Sequence, residues 1–259
     1  MSDNGLGNID DLFQSAQQDG LTDDTMDLVV SNLNSPTMLA PVGVGLDDLA
    51  SNDVTLAMNI IDMSSSMTPY RGDLIRAYND DYLAAMAGST AADDILVSTI
   101  LFNDQLLLAH GYLPLGDTPP LTASRYAPAG TTALYDAVAS GLTNMVLYAQ
   151  QLRQSGVMVR CLVIVYSDGE DNASRQPAAA VRRAAQELLR HEIYTLAYVG
   201  FRPGDVGMQE VRALADTIGF PEALPAGLSQ RELRRIFHLA SVSTVRTSRR
   251  SGVAGGVFR

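Results

Sequence analysis

Oxygen-bearing side chains stand at three places in the sequence, where an apolar run ends or a helical pattern begins. Asp62, Ser64 and Ser66 follow the run "TLAMNII", Thr132 lies in "AGTTALYD", and Asp168 follows "CLVIVYS". Carboxylate and hydroxyl oxygens are hard ligands that suit Mg²⁺, Mn²⁺ or Ca²⁺. Two carboxylates roughly balance a dication, and neutral hydroxyls leave it some Lewis acidity and an unfilled position. The pattern favours a metal site that captures a carboxylate from another molecule.

Other chemistries fit these residues less well. A P-loop needs a lysine to reach the phosphates. This chain contains no lysine, and arginine takes its place throughout. The turn Met-Ser-Ser-Ser lacks the glycines of a dinucleotide-binding turn. A serine hydrolase needs a histidine beside its nucleophile, and none of His110, His191 and His238 is placed near Ser64 or Ser66 by the sequence pattern. The absence of a Cys/His cluster from the sequence disfavours zinc.

Apolar strands must carry the oxygen ligands to one edge of a sheet. "VTLAMNII" and "VMVRCLVIVYS" contain few polar residues, which is typical of strands covered on both faces. Amphipathic helix patterns alternate with them, and Asn103-Asp104 between "DILVSTILF" and "QLLLAHGYL" indicates a hairpin. We therefore predict an α/β fold: a doubly wound, Rossmann-like, mostly parallel sheet with helices on both faces and one antiparallel edge strand. Sites in such sheets lie at the carboxyl ends of the strands.

Charge and pattern divide the chain into three predicted regions. Residues 1–50 form an acidic N-terminal extension with two short helices, "IDDLFQSAQQ" and "LTDDTMDLVVSNL". Residues 51–242 form the α/β domain, with "SQRELRRIFHLAS" as its last helix, and residues 243–259 form a basic, flexible tail. Cys161, the only cysteine, lies in a predicted strand and is expected to be a small core residue.

The composition also limits the partners that we expect. A net charge of −11 disfavours nucleic acid, which prefers basic surfaces. No apolar run reaches the roughly 20 residues of a membrane helix, and "MSDNGLGNIDD" does not resemble a signal peptide. We therefore expect a cytoplasmic protein that contacts neither a membrane nor nucleic acid.

Three segments together, "DMSSSM", "GTTALYDAV" and "VIVYSDGEDN", resemble the motifs of a von Willebrand factor A (VWA) domain. The metal-ion-dependent adhesion site (MIDAS) of that family has the pattern Asp-x-Ser-x-Ser, then Thr, then Asp. The resemblance implies the ligands Asp62, Ser64, Ser66, Thr132 and Asp168. Family members commonly read Gly-Thr-Ala-Leu-Tyr-Asp, which favours Thr132 over Thr131. The resemblance covers about residues 53–240 and indicates the bacterial intracellular type.

The resemblance implies a protein-interaction module rather than an enzyme. Its cofactor would be Mg²⁺, with Mn²⁺ or Ca²⁺ as alternatives, and a partner Asp or Glu would complete the coordination. Intracellular bacterial members work with AAA+ ATPases or with kinase and phosphatase systems. A metal-assisted hydrolase and a scaffold with a purely structural metal remain the alternatives. Of the flanking residues, Met63 and Met67 are candidate contact residues, and Asp136 is expected to cap its helix or interact with the helix dipole.

Overall fold

The computed structural model describes residues 14, 16–17, 20–21, 23–33, 43–169, 171–201 and 206–226, and within them a six-stranded sheet. The strand order is β3-β2-β1-β4-β5-β6. β3 pairs antiparallel with β2 at one edge, and all other pairs are parallel, so the predicted sheet is confirmed. The strands are β1 (Asp53–Asp62), β2 (Ile95–Phe102), β3 (Leu106–Pro114), β4 (Met158–Ser167), β5 (Tyr194–Phe201) and β6 (Glu222–Ala226).

Helices cover both faces of this sheet, as the alternating pattern predicts. The α-helices of the described residues, with one π-helical stretch, are α1 (Asp23–Leu33), α2 (Arg71–Arg76), the π-helical stretch (Ala77–Leu83), α3 (Ala84–Ala87), α4 (Leu134–Gln154), α5 (Ala178–Leu188) and α6 (Val206–Thr217). Four short 3-10 helices lie within the same residues, at Leu46–Asp48, Ser65–Tyr70, Ala92–Asp94 and Leu115–Asp117. The π-helical stretch joins α2 to α3, so the predicted helix there is one continuous helical run.

Side chains of β1 alternate between two apolar clusters, because successive residues of a strand point to opposite faces. Leu56 and Met58 belong to the cluster that also holds residues of α1, α4, α5 and α6. Ala57 and Ile61 belong to the cluster under the helical run 71–87. Burial of both faces explains why β1 reads as a nearly continuous apolar run.

The second predicted N-terminal helix is confirmed as α1, and it packs on the α/β domain. Leu28 and Val29 are buried in the core, and the backbone N–H and hydroxyl of Thr25 donate to Glu187 Oε2 at 2.8 and 2.9 Å. Glu187 on α5 therefore places a carboxylate at the positive end of α1. The division at residue 50 stays a prediction. The other N-terminal helix lies largely, and the last helix and the tail wholly, outside the described residues.

Glu187→Ala should lower the free energy of unfolding by about 2–4 kcal/mol, because it leaves two buried donors of Thr25 without this acceptor. Urea denaturation would measure the loss. Arg183→Ala is the matched control on the same helix, since Arg183 pairs with Asp24 at the exposed surface at 3.0 Å, and we expect a change of no more than about 0.5 kcal/mol. Equal losses in the two variants would contradict a special role for Glu187.

Two further expectations concern the burial of Cys161 and the presence of a membrane-spanning helix. Cys161 is fully buried in β4, as predicted, and burial raises the pKa of its thiol well above the usual value. Among the described residues, no helix is long and apolar enough to cross a lipid bilayer.

Candidate metal centre

Three loops meet at the carboxyl edge of the sheet and are joined by backbone hydrogen bonds. The loop after β1 receives the Ala129 N–H at Met63 O (2.8 Å) and donates the Ser65 N–H to Gly130 O (3.2 Å). Gly130 has a φ of +76°, a backbone conformation that favours glycine, and a Cβ on it would lie 2.3 Å from Asp104 Oδ1. The convergence expected from the sequence is therefore present, and the loop before α4 lies directly on the loop after β1.

Asp62 ends β1 with a fully buried carboxylate. Its Oδ1 accepts the Ser64 N–H at 2.7 Å and its Oδ2 accepts the Ser167 hydroxyl at 2.6 Å. The pKa of its carboxyl is raised from the ordinary 3.8 to about 6. Burial is the main cause of the rise, the contacts with Ser167 and Ser64 oppose it, and the nearby charge of Asp168 adds slightly to it. Without a cation, this carboxylate is held in its charged form at a cost in free energy.

Ser64 and Ser66 turn toward each other at the start of a 3-10 helix (Ser65–Tyr70). Their hydroxyl oxygens lie 3.1 Å apart. Ser64 is buried beside Asp62, and Ser66 is exposed. The spacing of two residues that the sequence suggested therefore brings two neutral oxygens together, one on the inner side and one on the solvent side of the loop.

Asp168 carries the feature that best fits a bound cation. Its Oδ1 is buried and, in the part of the chain that the structure describes, has no hydrogen-bond partner. A buried carboxylate oxygen without a partner is costly, and its neighbour is a second carboxylate, Asp62. Gly169 follows with a φ of +94°, and its N–H donates to Ser167 Oγ at 3.0 Å. A dication would satisfy the Asp168 oxygen and the excess negative charge together, so the residues present fit a hard metal ion.

Thr132 is buried just before α4, whereas Thr131 is exposed. The backbone N–H of Thr132 donates to Asn172 Oδ1 at 2.8 Å, and the Thr132 carbonyl accepts the N–H groups of Asn172 and Ala173 at 3.0 Å each. The loop that carries Thr132 thus contacts both the loop after β1 and the loop after β4. The burial of Thr132 agrees with the preference for it over Thr131.

The candidate metal site at this edge combines carboxylate oxygens with hydroxyl oxygens. Among the described residues, no group of three or more His, Cys, Asp or Glu side chains is arranged to hold a metal ion. The candidate set consists of two carboxylates and three hydroxyls, and this donor set is typical of Mg²⁺ or Mn²⁺ rather than zinc. Ligation by these five residues stays a prediction.

Two residues that hydrogen-bond to Asp62, and are not candidate metal ligands themselves, were not predicted from the sequence. Ser167 donates to Asp62 Oδ2, and the Tyr126 hydroxyl donates to the Asp62 carbonyl at 2.7 Å. Ser167 could have been found, because it directly precedes Asp168 at the end of a predicted strand. Tyr126 lies in an irregular segment, and no local pattern indicates its contact.

Several expectations for flanking residues are corrected by burial and contacts. Met67 is fully buried in the core, so it is no surface contact residue, whereas Met63 is only partly buried. Asp136 does not cap its own helix, since its Oδ1 accepts the backbone N–H groups of Arg175 (3.0 Å) and Gln176 (2.8 Å). Its place in the first turn of α4 still suits the helix dipole.

Comparisons with solved structures support the fold. The pilus adhesin SpaC from Lactobacillus rhamnosus GG, in an open conformation, aligns at 12% identity with a TM-score of 0.53, over 76% of this chain and 30% of SpaC. The D319A mutant of the PilB minor pilin from Streptococcus sanguinis aligns at 13% identity with a TM-score of 0.51, over 78% of this chain and 63% of PilB. Manganese-loaded TRAP from Plasmodium vivax aligns at 18% identity with a TM-score of 0.46, over 72% of this chain and 74% of TRAP.

These likenesses concern the fold alone, because all the identities are below 20%. No protein-family model and no curated protein matches the sequence at a significant level. The chain spans about a third of the length of SpaC and under two thirds of that of PilB. The two alignments with TM-scores above 0.5 support the α/β fold with its mostly parallel sheet and antiparallel edge strand.

Proposed function

We propose that this protein is a divalent-metal-dependent interaction module that binds an acidic residue of a protein partner. The proposal is carried by the buried Asp168 Oδ1, which lies beside buried Asp62 and has no hydrogen-bond partner within the described ranges. A site with two carboxylates and no cation would repel an acidic ligand, whereas a metal-loaded site would attract one. Mg²⁺ is the proposed cofactor, with Mn²⁺ or Ca²⁺ as alternatives.

Each residue has a distinct part in this proposal. Bound at the site, the ion would supply Lewis acidity toward the carboxylate of the partner. Asp62 and Asp168 provide the charge that retains the cation, and Asp62 is fixed by its bonds to Ser64 and Ser167. Ser64, Ser66 and Thr132 contribute neutral oxygens, which leave net positive charge for the partner. Ser66 is exposed, which supports access of another molecule to the solvent side of the proposed site.

The proposal extends to the class, location and partners of the protein. We propose that it is a MIDAS protein of the bacterial intracellular type, acts in the cytoplasm and is not an enzyme. Its partner would belong to an AAA+ ATPase or to a kinase and phosphatase system. The support is the resemblance of the three motifs and the donor chemistry of the site. Cell fractionation would test the location, and an extracellular protein would contradict it.

Two measurements on the full chain test the function. Isothermal titration with MnCl₂ and with MgCl₂ should show one binding site per chain. The immobilised, metal-loaded chain should then retain a synthetic peptide that contains a central glutamate, and should release it when EDTA is added. The same peptide with glutamine in place of glutamate is the control. Retention of both peptides alike, or in the presence of EDTA, would contradict carboxylate capture.

A further inference from the structure

The loop after β4, residues 171–176, is bonded to the N-terminal end of α4 along its length. Ser174 Oγ accepts the N–H groups of Tyr135 (2.9 Å) and Asp136 (3.1 Å). The first N–H groups of a helix have no partner within the helix, and α4 has no capping side chain at its own N-cap position, Ala133. Ser174 therefore serves as a cap from another loop and ties that loop to the helix.

Asp136 returns the contact from the helix side. Its buried carboxylate accepts the N–H groups of Arg175 and Gln176. Hydrogen bonds to an ionised acceptor are about twice as strong as neutral ones. The far end of the loop is thus fixed to α4 by Asp136, and its middle by Ser174.

Asn172, nearer the start of the loop, holds both backbone polar groups of Thr132. Its Oδ1 accepts the Thr132 N–H at 2.8 Å, and its own N–H donates to the Thr132 carbonyl at 3.0 Å. Fixing the N–H and the C=O of one residue fixes the direction of its Cα–Cβ bond, and with it the place that the hydroxyl can occupy. Asn172 is itself exposed, so its position serves this contact rather than the packing of the core.

We propose that Asn172 is a positioning residue for the metal site, acting through Thr132. The inference rests on the proposed function, since Thr132 must contribute its hydroxyl to the bound ion. Residues that orient a ligand without touching the metal typically change metal affinity by about 10- to 100-fold when replaced. Ser174 and Asp136 hold the loop that presents Asn172, so the hydroxyl of Thr132 is placed by a segment that follows it by some 40 residues in the chain.

The test measures Mn²⁺ affinity by isothermal titration, and stability by urea denaturation in EDTA, on the full chain. Asn172→Ala should weaken Mn²⁺ binding about 10- to 100-fold while the urea midpoint in EDTA stays close to that of the wild type. Asn172→Asp keeps an acceptor for the Thr132 N–H and should restore most of the affinity.

Asn79 offers a control, because it also holds the backbone N–H and C=O of one residue in another loop, in its case through the side chain alone. Its carboxamide donates to the Leu121 carbonyl at 2.9 Å and accepts the Leu121 N–H at 2.8 Å. Asn79→Ala should lower the urea midpoint and leave Mn²⁺ affinity unchanged.

Wild-type affinity in Asn172→Ala would overturn the inference while leaving the proposed function intact. A loss of affinity in Asn79→Ala as large as that in Asn172→Ala would also overturn it, because general loosening would then explain both. A wild-type chain that binds no Mn²⁺ would overturn the proposed function, and this inference with it.

Discussion

Asp168→Ala should weaken Mn²⁺ binding by about 100-fold or more, because the loss of a direct ligand should exceed the 10- to 100-fold effect of losing an outer one. The variant removes the buried Oδ1, which has no hydrogen-bond partner among the described residues, so no hydrogen bond of that atom within the described fold is lost. We therefore expect the unfolding temperature in EDTA to equal or exceed that of the wild type, and the added stability from Mn²⁺ to disappear. Isothermal titration and calorimetric melting would measure the two effects.

Asp104→Ala is the appropriate control for Asp168→Ala. Asp104 is an exposed carboxylate whose Oδ1 lies close to Gly130, in the same group of loops. The substitution Asp104→Ala removes the same charge as Asp168→Ala from the same edge of the sheet, without removing a candidate ligand. We expect Mn²⁺ affinity to change by no more than about threefold, as is usual for one exposed charge. An equal loss in both variants would mean that the overall negative potential attracts the ion and that Asp168 has no special part.

Asp62→Asn should stabilise the metal-free protein and at the same time abolish its response to metal. The Asp62 carboxyl has a pKa of about 6 in the folded protein against an ordinary value of 3.8, chiefly because of burial. For a pKa raised on folding, the contribution to stability is fully present below the unfolded value and is lost as the pH rises through the folded one. At neutral pH the charged group therefore costs the metal-free fold up to about 3 kcal/mol.

The pH dependence provides the measurement for Asp62→Asn. In EDTA, the variant should gain stability relative to the wild type as the pH rises from about 4 to about 7, and the difference should then level off. Asparagine keeps the shape of the side chain and can still accept the Ser64 N–H, but its NH₂ group cannot accept the Ser167 hydroxyl. The loss of that hydrogen bond does not depend on pH in this range, so the pH-dependent part of the difference reports the charge. In saturating Mn²⁺ the wild type should recover stability and the variant should not. A difference that is independent of pH would contradict this account of Asp62.

The sequence predicted the fold well where burial leaves a local signature. β1 and β4 are covered on both faces, so they read as continuous apolar runs, and each predicted strand end carries a candidate ligand. β6 was missed, because it has five residues, includes Pro225 and has no alternating pattern. A π-helical stretch within the helical run 71–87 was missed as well, since it depends on backbone hydrogen bonding that composition does not encode.

In the candidate site, contacts between residues that are close in the chain were predictable, and those between distant residues were not predicted. Ser64 and Ser66 are near Asp62 in the chain, so their proximity follows from a spacing of two residues. The partners that fix the site come from far along the chain: Ser167 contacts Asp62 across 105 residues, and Asn172 contacts Thr132 across 40. Such contacts are decided by tertiary packing: the place of Ser167 at a strand end beside Asp168 was a usable signal, whereas no local pattern indicates the contact of Asn172 with Thr132.

The long reach of the Ser167–Asp62 contact has a consequence for biosynthesis. A ribosome must deliver 105 further residues after Asp62 before that carboxylate can meet the hydroxyl that holds it. Contacts of this range form slowly, because the entropy of closing the intervening chain must be overcome first. An emerging chain that ends before β4 would lack Ser167 and Asp168, so metal uptake would occur only after the two halves of the sheet have joined. A metal ion present at 100 times its dissociation constant would then add about 2.7 kcal/mol to the free energy of unfolding of the complete fold, and would add nothing to an incomplete chain that cannot bind it.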